Sequence, residues 1–544
     1  MKISIGIKAL LCSCLLPLFI ACTEWNDHYE DFGNVGGGSS QTLWEQLKSN
    51  NSLSDFCEVL TQTKVFRMHK KTPTSYADLL NSGQSFTVVA PVNGTFNKDS
   101  LLQLVQTAQG DSVVERFFVF NHISRSLNSI DKEEKSMLLL NKKHVTMTDN
   151  AIEGVRITTA NQHAKNGVLH IAERPLPYER SLYETLSDIP EFSNIGRILR
   201  QYEEDYFDAS QSVSSGIIEG VPIYVDSVVI ERNRMLQQIG LIDAEDSLYW
   251  VIAPTTAGWQ KAWDEASQYF KYDETVLKRD SLQTHWTTRA LLDDAIFNIT
   301  DQRTLTDSLV SVQYLQNRNL SSRKPVYHVF KDPFGANGIL HNATKVNCSN
   351  GILYKTDEWP FTPEQTYFRE LWSEGEHTQL IINEKECSYN VRRTAADSIS
   401  EGGYLQIIPA KATSNWDLTY RINNTLSGTY DICAVILPRS VMDVNAANGK
   451  PCKFKATITY VDETGAEKTY NCENTQFKSN PEQIDTIVLA EAFQLPVCNY
   501  NQNDIKVSVK IQCSILARET SSYSREMFLD CIYLKPRRDL KTEN

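Results

Sequence analysis

Long apolar runs are scarce in this 544-residue chain. No stretch reaches the roughly 18 apolar residues that a spanning helix needs, so no transmembrane helix is expected. Positive charge is also in short supply. Lys and Arg number 54 against 67 Asp and Glu, which gives a formal charge of −13. That balance argues against nucleic-acid binding, because phosphate contacts need clustered cations. The spacings of catalysis are missing as well. The ten His form no His-x-His or His-Glu-x-x-His pattern that would hold a metal. No Cys-x-x-Cys occurs, no Gly-x-Ser-x-Gly elbow and no Gly-x-x-x-x-Gly-Lys phosphate loop. A glycosidase needs two carboxylates facing one sugar at about 5–10 Å, and sequence alone pairs none. No enzyme, metal or cofactor is therefore expected. Disorder is excluded too, since 41% of the residues are hydrophobic and 10% aromatic.

The first 21 residues read as a secretory signal: Lys2 and Lys8 at the front, an apolar stretch from Ala9 to Ile20, and small Ala21 before Cys22. Phe19-Ile20-Ala21-Cys22 resembles a lipobox, which implies cleavage before Cys22 and acylation of its thiol. Glu24, Asp27, Glu30 and Asp31 follow, and this acidic patch resembles the surface-export signal of Bacteroidetes lipoproteins. The resemblance implies an outer-membrane anchor facing the cell exterior, the alternative being the periplasmic face. Residues 22–40 end in Gly36-Gly37-Gly38-Ser39-Ser40 and read as a flexible tether.

An internal repeat follows, marked by three anchors. Leu43-Trp44-Glu45-Gln46-Leu47 matches Leu182-Tyr183-Glu184-Thr185-Leu186, at an offset of 139. The apolar spacing there predicts short amphipathic helices. Phe86-Thr87-Val88-Val89-Ala90-Pro91 matches Tyr249-Trp250-Val251-Ile252-Ala253-Pro254, at an offset of 163. Each predicts a buried strand stopped by Pro. Asn166-Gly167-Val168-Leu169-His170 matches Asn350-Gly351-Ile352-Leu353-Tyr354, at an offset of 184. Asn-Gly predicts a hairpin turn. The rising offsets place insertions of 24 and 21 residues in the second copy.

These anchors, with Asn121-His122 and Phe297-Asn298-Ile299 between them, resemble the fasciclin (FAS1) domain, twice over. The resemblance implies two α+β domains, at 41–178 and 179–360, and a role in adhesion or binding at a cell surface. His122 and His170 occupy the family's His positions and are weak candidates for ligand contact, with hydrogen-bonded core residues as the stronger reading.

A linker is expected at 361–374, and a different pattern from 375 to 538. Short period-two strands such as Tyr404–Ile408, Phe454–Tyr460 and Ile505–Ile511 predict an all-β sandwich. Ser427-Gly428-Thr429-Tyr430-Asp431 and the closing Asp530-Cys531-Ile532-Tyr533-Leu534 resemble galactose-binding-like jelly rolls, a fold shared by many carbohydrate-binding modules. Trp416 or Tyr389 is a candidate for stacking on a sugar, with a place in the core as the stronger reading. Nine Cys lie beyond Cys22. Several sit inside apolar strands and read as small hydrophobes, most of them free, with one pair open in the last domain. Asp-Ser before Leu, Val or Ile recurs at Ser100, Ser112, Ser227, Ser247, Ser281, Ser308 and Ser398, and Thr486 is similar. The triplet resembles the O-glycosylation sequon of Bacteroidetes exported proteins; helix caps and turns are the plain alternative. Together these features predict a lipid-anchored binding or adhesion protein, accessory to glycan capture or uptake at the outer membrane. Its expected partners are the membrane, a glycan or matrix ligand, and proteins of an uptake complex. A scaffold that binds only proteins is the rival reading.

Overall fold

The Asn-Gly pair that closes each repeat shows how the repeat is built. Asn166 Oδ1 accepts from the Leu43 N–H at 2.8 Å, and its Nδ2 donates to Leu80 O at 2.9 Å. In the second copy Asn350 Oδ1 accepts from the Leu182 N–H at 2.8 Å, and its Nδ2 donates to Ile242 O at 2.8 Å. One buried amide thus ties the opening helix to the closing hairpin in both copies. The glycine beside it has no room for a side chain. A Cβ on Gly167 would stand 2.0 Å from Phe86 O, and one on Gly351 1.9 Å from Tyr249 O.

The computed structural model describes residues 39–299, 307–311, 328–442, 449–472 and 476–538, apart from 68, 69, 219 and 220; side chains of 66–71 and 208–230 are not described. The expected signal, Cys22 and most of the tether lie outside the described residues. The chain divides into two compact units, Met1–Glu179 and Arg180–Asn544.

In the first unit the strand Phe86–Pro91 is buried along its whole length. It runs parallel to Gly167–Ala172 and antiparallel to Ile123–Ser124. Val155–Ala164 returns on the other side of Gly167–Ala172 and leads on to three outer strands, seven in all. The expected helices are Leu43–Ser49 and Ser54–Gln62. Thr42 and Glu45 form a capping box that fixes the first.

The second unit begins with the same plan. Ser181 and Glu184 cap Leu182–Asp188, and Ser193–Arg200 follows. Tyr249–Pro254 runs parallel to Gly351–Thr356 and antiparallel to Ile296–Asn298, with Thr344–Cys348 beyond. The first insertion is an extended hairpin. Glu203–Ile218 and Val221–Asn233 stand where the first copy has Lys64–Arg67 and Lys70–Ser75.

The sandwich completes this unit. One sheet orders Cys387–Arg393, Gly403–Pro409, Met527–Arg537, Gly428–Ile436 and Asp485–Leu495, with Leu371–Glu374 also pairing to Met527–Arg537. The other orders Ile381–Lys385, Asp417–Arg421, Ser508–Cys513, Lys453–Val461 and Glu467–Asn471. Every pairing in both sheets is antiparallel.

The stretch 361–374, expected as a linker, is packed, with Phe361, Phe368 and Leu371 buried. Phe368 sits 4.5 Å from the Tyr269 ring and 5.0 Å from the Tyr430 ring, which joins the repeat to the sandwich. The join is extensive. Trp286 meets Tyr500 at 4.8 Å, and Tyr272 Oη donates to Tyr500 O at 3.0 Å. Lys506 reaches the fully buried Asp273 carboxylate at 3.2 Å. One continuous apolar core therefore runs from Leu182 to Leu534. An aromatic loop with a charge at its tip can bury that charge only if the facing body supplies a counter-ion, and Lys506 does so.

Candidate binding site and metal centre in the sandwich

Three of the four residues weighed as ligand contacts lie in cores; the fourth, Tyr389, is half-buried against the core of the sandwich. His122 is buried; its Nδ1 donates to Phe118 O at 2.7 Å and its Nε2 accepts from the Leu176 N–H at 3.1 Å. Burial pushes its pKa down to about 4, so the ring is neutral. His170 is buried too, with Nδ1 accepting from the Asn161 N–H and Nε2 donating to Asn128 O. Burial lowers its pKa as well. Both rings brace loops, and neither keeps a nitrogen for a ligand. Trp416 is fully buried between the sheets, and its indole N–H donates to Arg525 O at 2.6 Å. With no exposed ring face it cannot stack on a sugar, and its N–H has the internal acceptor that burial requires.

The hydroxyls in Asp-Ser triplets divide by exposure. Ser100, Ser281, Ser398 and Thr486 are exposed, and Ser112 and Ser247 half-buried. Ser308 is buried, and its hydroxyl donates to Asp307, so it is not open to modification. The Ser227 side chain lies outside those described.

A cavity of about 310 Å³ opens at one end of the sandwich, where Gly428–Ile436 ends and Lys453–Val461 and Met527–Arg537 begin. Buried Ile436, Leu437, Cys452, Met527 and Phe528 back it, and most of the surface it exposes is polar. Its rim is polar, with Arg439, Lys450, Asn480, Tyr523, Ser524 and Glu526. The Tyr523 ring is flanked by Lys453 Nζ at 5.1 Å and Lys478 Nζ at 5.9 Å. A sugar ring needs such a pairing of surfaces, with its C–H face on apolar atoms and its hydroxyls on polar ones. Four separate turns supply this lining, so no contiguous motif announces it.

A second cluster lies at another edge of the same sheet. Glu374 ends a strand, Glu376 and His377 follow in the turn, Glu401 comes from the 3-10 turn Ser400–Gly402, and Asp530 sits on the central strand. Ser400 Oγ donates to Glu374 Oε1 at 2.8 Å, and Arg393 reaches Glu376 Oε1 at 3.2 Å. Glu374 Oε2, Glu376 Oε2 and Asp530 Oδ1 are buried without a hydrogen-bond partner. Burial and mutual repulsion push Glu374 up to about 8. Burial, with the neighbouring Glu376, pushes Asp530 up to about 7. Burial raises Glu376 as well. Glu401 adopts a left-handed backbone at φ 49°, a strained conformation for a non-glycine residue.

Ligand atoms of Glu374, Asp530 and Cys531 lie within 4.8 Å of one another, as do those of Glu376, His377 and Glu401. Orphaned buried carboxylate oxygens fit a hard divalent cation of the Ca²⁺ or Mg²⁺ type, which replaces the missing donors with positive charge. Burial drives the Cys531 thiol far up, which suits a filler and not a ligand. No metal was expected from spacing, since these residues come from three distant parts of the chain.

Comparison with known proteins gives one family match. Residues 61–177 match the Fasciclin domain. The FAS1 domain pair of the insect cell adhesion molecule Fasciclin I is similar at 12% identity, covering 58% of this chain and 99% of that one, with a TM-score of 0.19. The C-terminal family 22 carbohydrate-binding module of Clostridium thermocellum Xyn10B is similar at 9% identity, covering 30% of this chain and 91% of that one, with a TM-score of 0.20. The CBM22-1–GH10 modules of the same bacterium's endo-1,4-β-D-xylanase 10B, solved with xylohexaose, match at 10% identity over 30% of this chain, with a TM-score of 0.21. The chain spans 27% of the length of that xylanase structure. No curated protein matches the chain.

Proposed function

We propose that the protein is a non-catalytic binding protein of the cell surface that captures a glycan through its sandwich. Acylated Cys22 holds it to the outer membrane, and two fasciclin-type regions precede the sandwich along the chain. The cavity, with a polar rim over buried apolar residues, is the observation that carries this reading. The Fasciclin match at 61–177 supports the adhesive side of it. The lipobox-like Phe19–Cys22 supports the anchor. A glycan and matrix-protein array probed with the full chain tests the reading. Saturable binding to one glycan class, weakened by Tyr523→Ala, is expected; silence on every glycan refutes it. Labelling of cells with a radioactive fatty acid, lost in Cys22→Ala, tests the anchor.

A scaffold for protein partners is the second reading, favoured by the long hairpin. Among the described residues its two strands pair only with each other, so each leaves an open edge. Open edges accept added strands. Crosslinking on intact cells that traps a protein through residues 203–233 would select this reading.

A further inference from the structure

We infer that the cavity at the end of the sandwich selects an acidic sugar, its carboxylate held by Lys450 and Arg439. This inference deepens the glycan reading above and rests on it. The chain carries a formal charge of −13, yet this rim is a positive island. Among the described residues two cations and one carboxylate line the cavity, so one positive charge is left over. Glu526 Oε1 accepts from Gln406 Nε2 at 2.5 Å, and its Oε2 lies 3.6 Å from Arg439 Nη1. That contact is an ion pair without a hydrogen bond, so Arg439 shares its charge with Glu526 while its N–H fork stays open to a second carboxylate. Lys450 donates to Thr520 O at 3.3 Å and has no carboxylate partner among the described residues. An ammonium carries three donors, so two remain.

The charge behind the rim has the same sign. Arg525 is buried between two rim residues, and its guanidinium is spent on the carbonyls of Ala412 and Ile515 and on Asn415 Oδ1. Carbonyl and amide partners satisfy its N–H groups and leave its charge in place. Glu519 is matched by Lys453, and Asp485 accepts from the Asn480 N–H at 2.9 Å. Glu526 already pairs with Arg439, so Lys450 and Arg525 are the cations left without a carboxylate partner among the described residues. A half-closed cavity strengthens the field of these cations over its value in open water. A neutral sugar would use the apolar backing and the hydroxyl-bonding groups and nothing of this field. A uronic acid uses both. The volume, at the low end of ligand pockets, suits one or two sugar rings.

The test is calorimetric titration of the full chain with trigalacturonate and with its methyl ester, which keeps the shape and removes the charge. The acid is expected to bind at least about tenfold more tightly, the size of one or two hydrogen bonds to a charged group. Lys450→Ala and Arg439→Ala should each weaken the acid more than the ester and so narrow the gap between the two, at an unaltered melting temperature. Added salt should weaken the acid alone. Equal binding of acid and ester overturns the acidic preference and leaves the glycan reading standing. So does binding of a neutral glycan on the array with no response to trigalacturonate. Silence towards both probes and the whole array removes both.

Discussion

Glu374 and Asp530 set up opposite responses of stability to pH and to a divalent cation. Without a cation their pKa values stand at about 8 and about 7. In an unfolded chain they return to the ordinary carboxylate range near 4. Between those limits the folded state holds more protons than the unfolded one, so stability falls as pH rises. The penalty is absent below pH ~4, grows up to pH ~8 and is constant beyond. At about 1.4 kcal/mol per unit, the penalty amounts to roughly 4–5 kcal/mol for each residue, most of it from burial. A cation that binds only the folded protein acts in the other direction, adding about 2.7 kcal/mol at a hundredfold excess over its Kd. Its ligands must be ionised, so its effect is larger at pH ~8 than at pH ~5. Urea unfolding at both pH values, with a chelator or with Ca²⁺, measures all four states. The double variant Glu374→Gln/Asp530→Asn should be more stable than wild type at pH ~8 with chelator, should flatten the pH slope and should lose the response to Ca²⁺. A pH-independent wild type, or a double variant that keeps its Ca²⁺ response, would refute the reasoning.

Other expectations are equally direct. The His122 ring is held neutral by burial at a pKa of about 4, below its unfolded value near 6.5, so its contribution is present above pH ~6.5 and lost as pH falls towards ~4. His122→Gln should remove roughly 3 kcal/mol of that acid sensitivity in urea titrations of the full chain. Trp416→Ala should cost about 3–5 kcal/mol of stability by calorimetry and leave the affinity for any glycan unchanged. Lys506→Met strands the Asp273 carboxylate and should cost about 3–5 kcal/mol, whereas Lys506→Met with Asp273→Leu recovers most of it. All nine Cys beyond Cys22 are free thiols, and eight of them are buried. A thiol reagent should therefore label half-buried Cys387 first and the others only on unfolding.

What could be read from the sequence was local. Phe86–Pro91 and Tyr249–Pro254 declare themselves as strands because their β-branched runs and terminal Pro lie within six residues. The opening helices declare themselves by apolar spacing. The Asn-Gly turn was legible as a turn, but the clamp made by Asn166 was not. Its partners lie 123 and 86 positions away, and only tertiary structure brings them near. The cavity and the acidic cluster were hidden for the same reason. Asp530 could be noted as part of a closing strand, yet Glu374 and Glu376 look like ordinary acids in a turn until the sheet folds over them. His122, His170 and Trp416 carried the right chemistry for contact, and burial removed it. Sequence gives residue type directly and exposure only through pattern, and lone residues have no pattern.

The core that runs from Leu182 to Leu534 has a consequence for how such a chain can evolve. A domain joined by a free tether can be excised, duplicated and grafted as a cassette, since its surface is already finished. This sandwich has no finished surface on the side of Tyr269, Phe270 and Trp286. Recombination near residue 370 would separate Phe368 from Tyr430 and Asp273 from Lys506 at one stroke. The second repeat and the sandwich are therefore inherited together or not at all. Specificity at the far cavity must change by point substitution in its turns, not by exchange of the whole module.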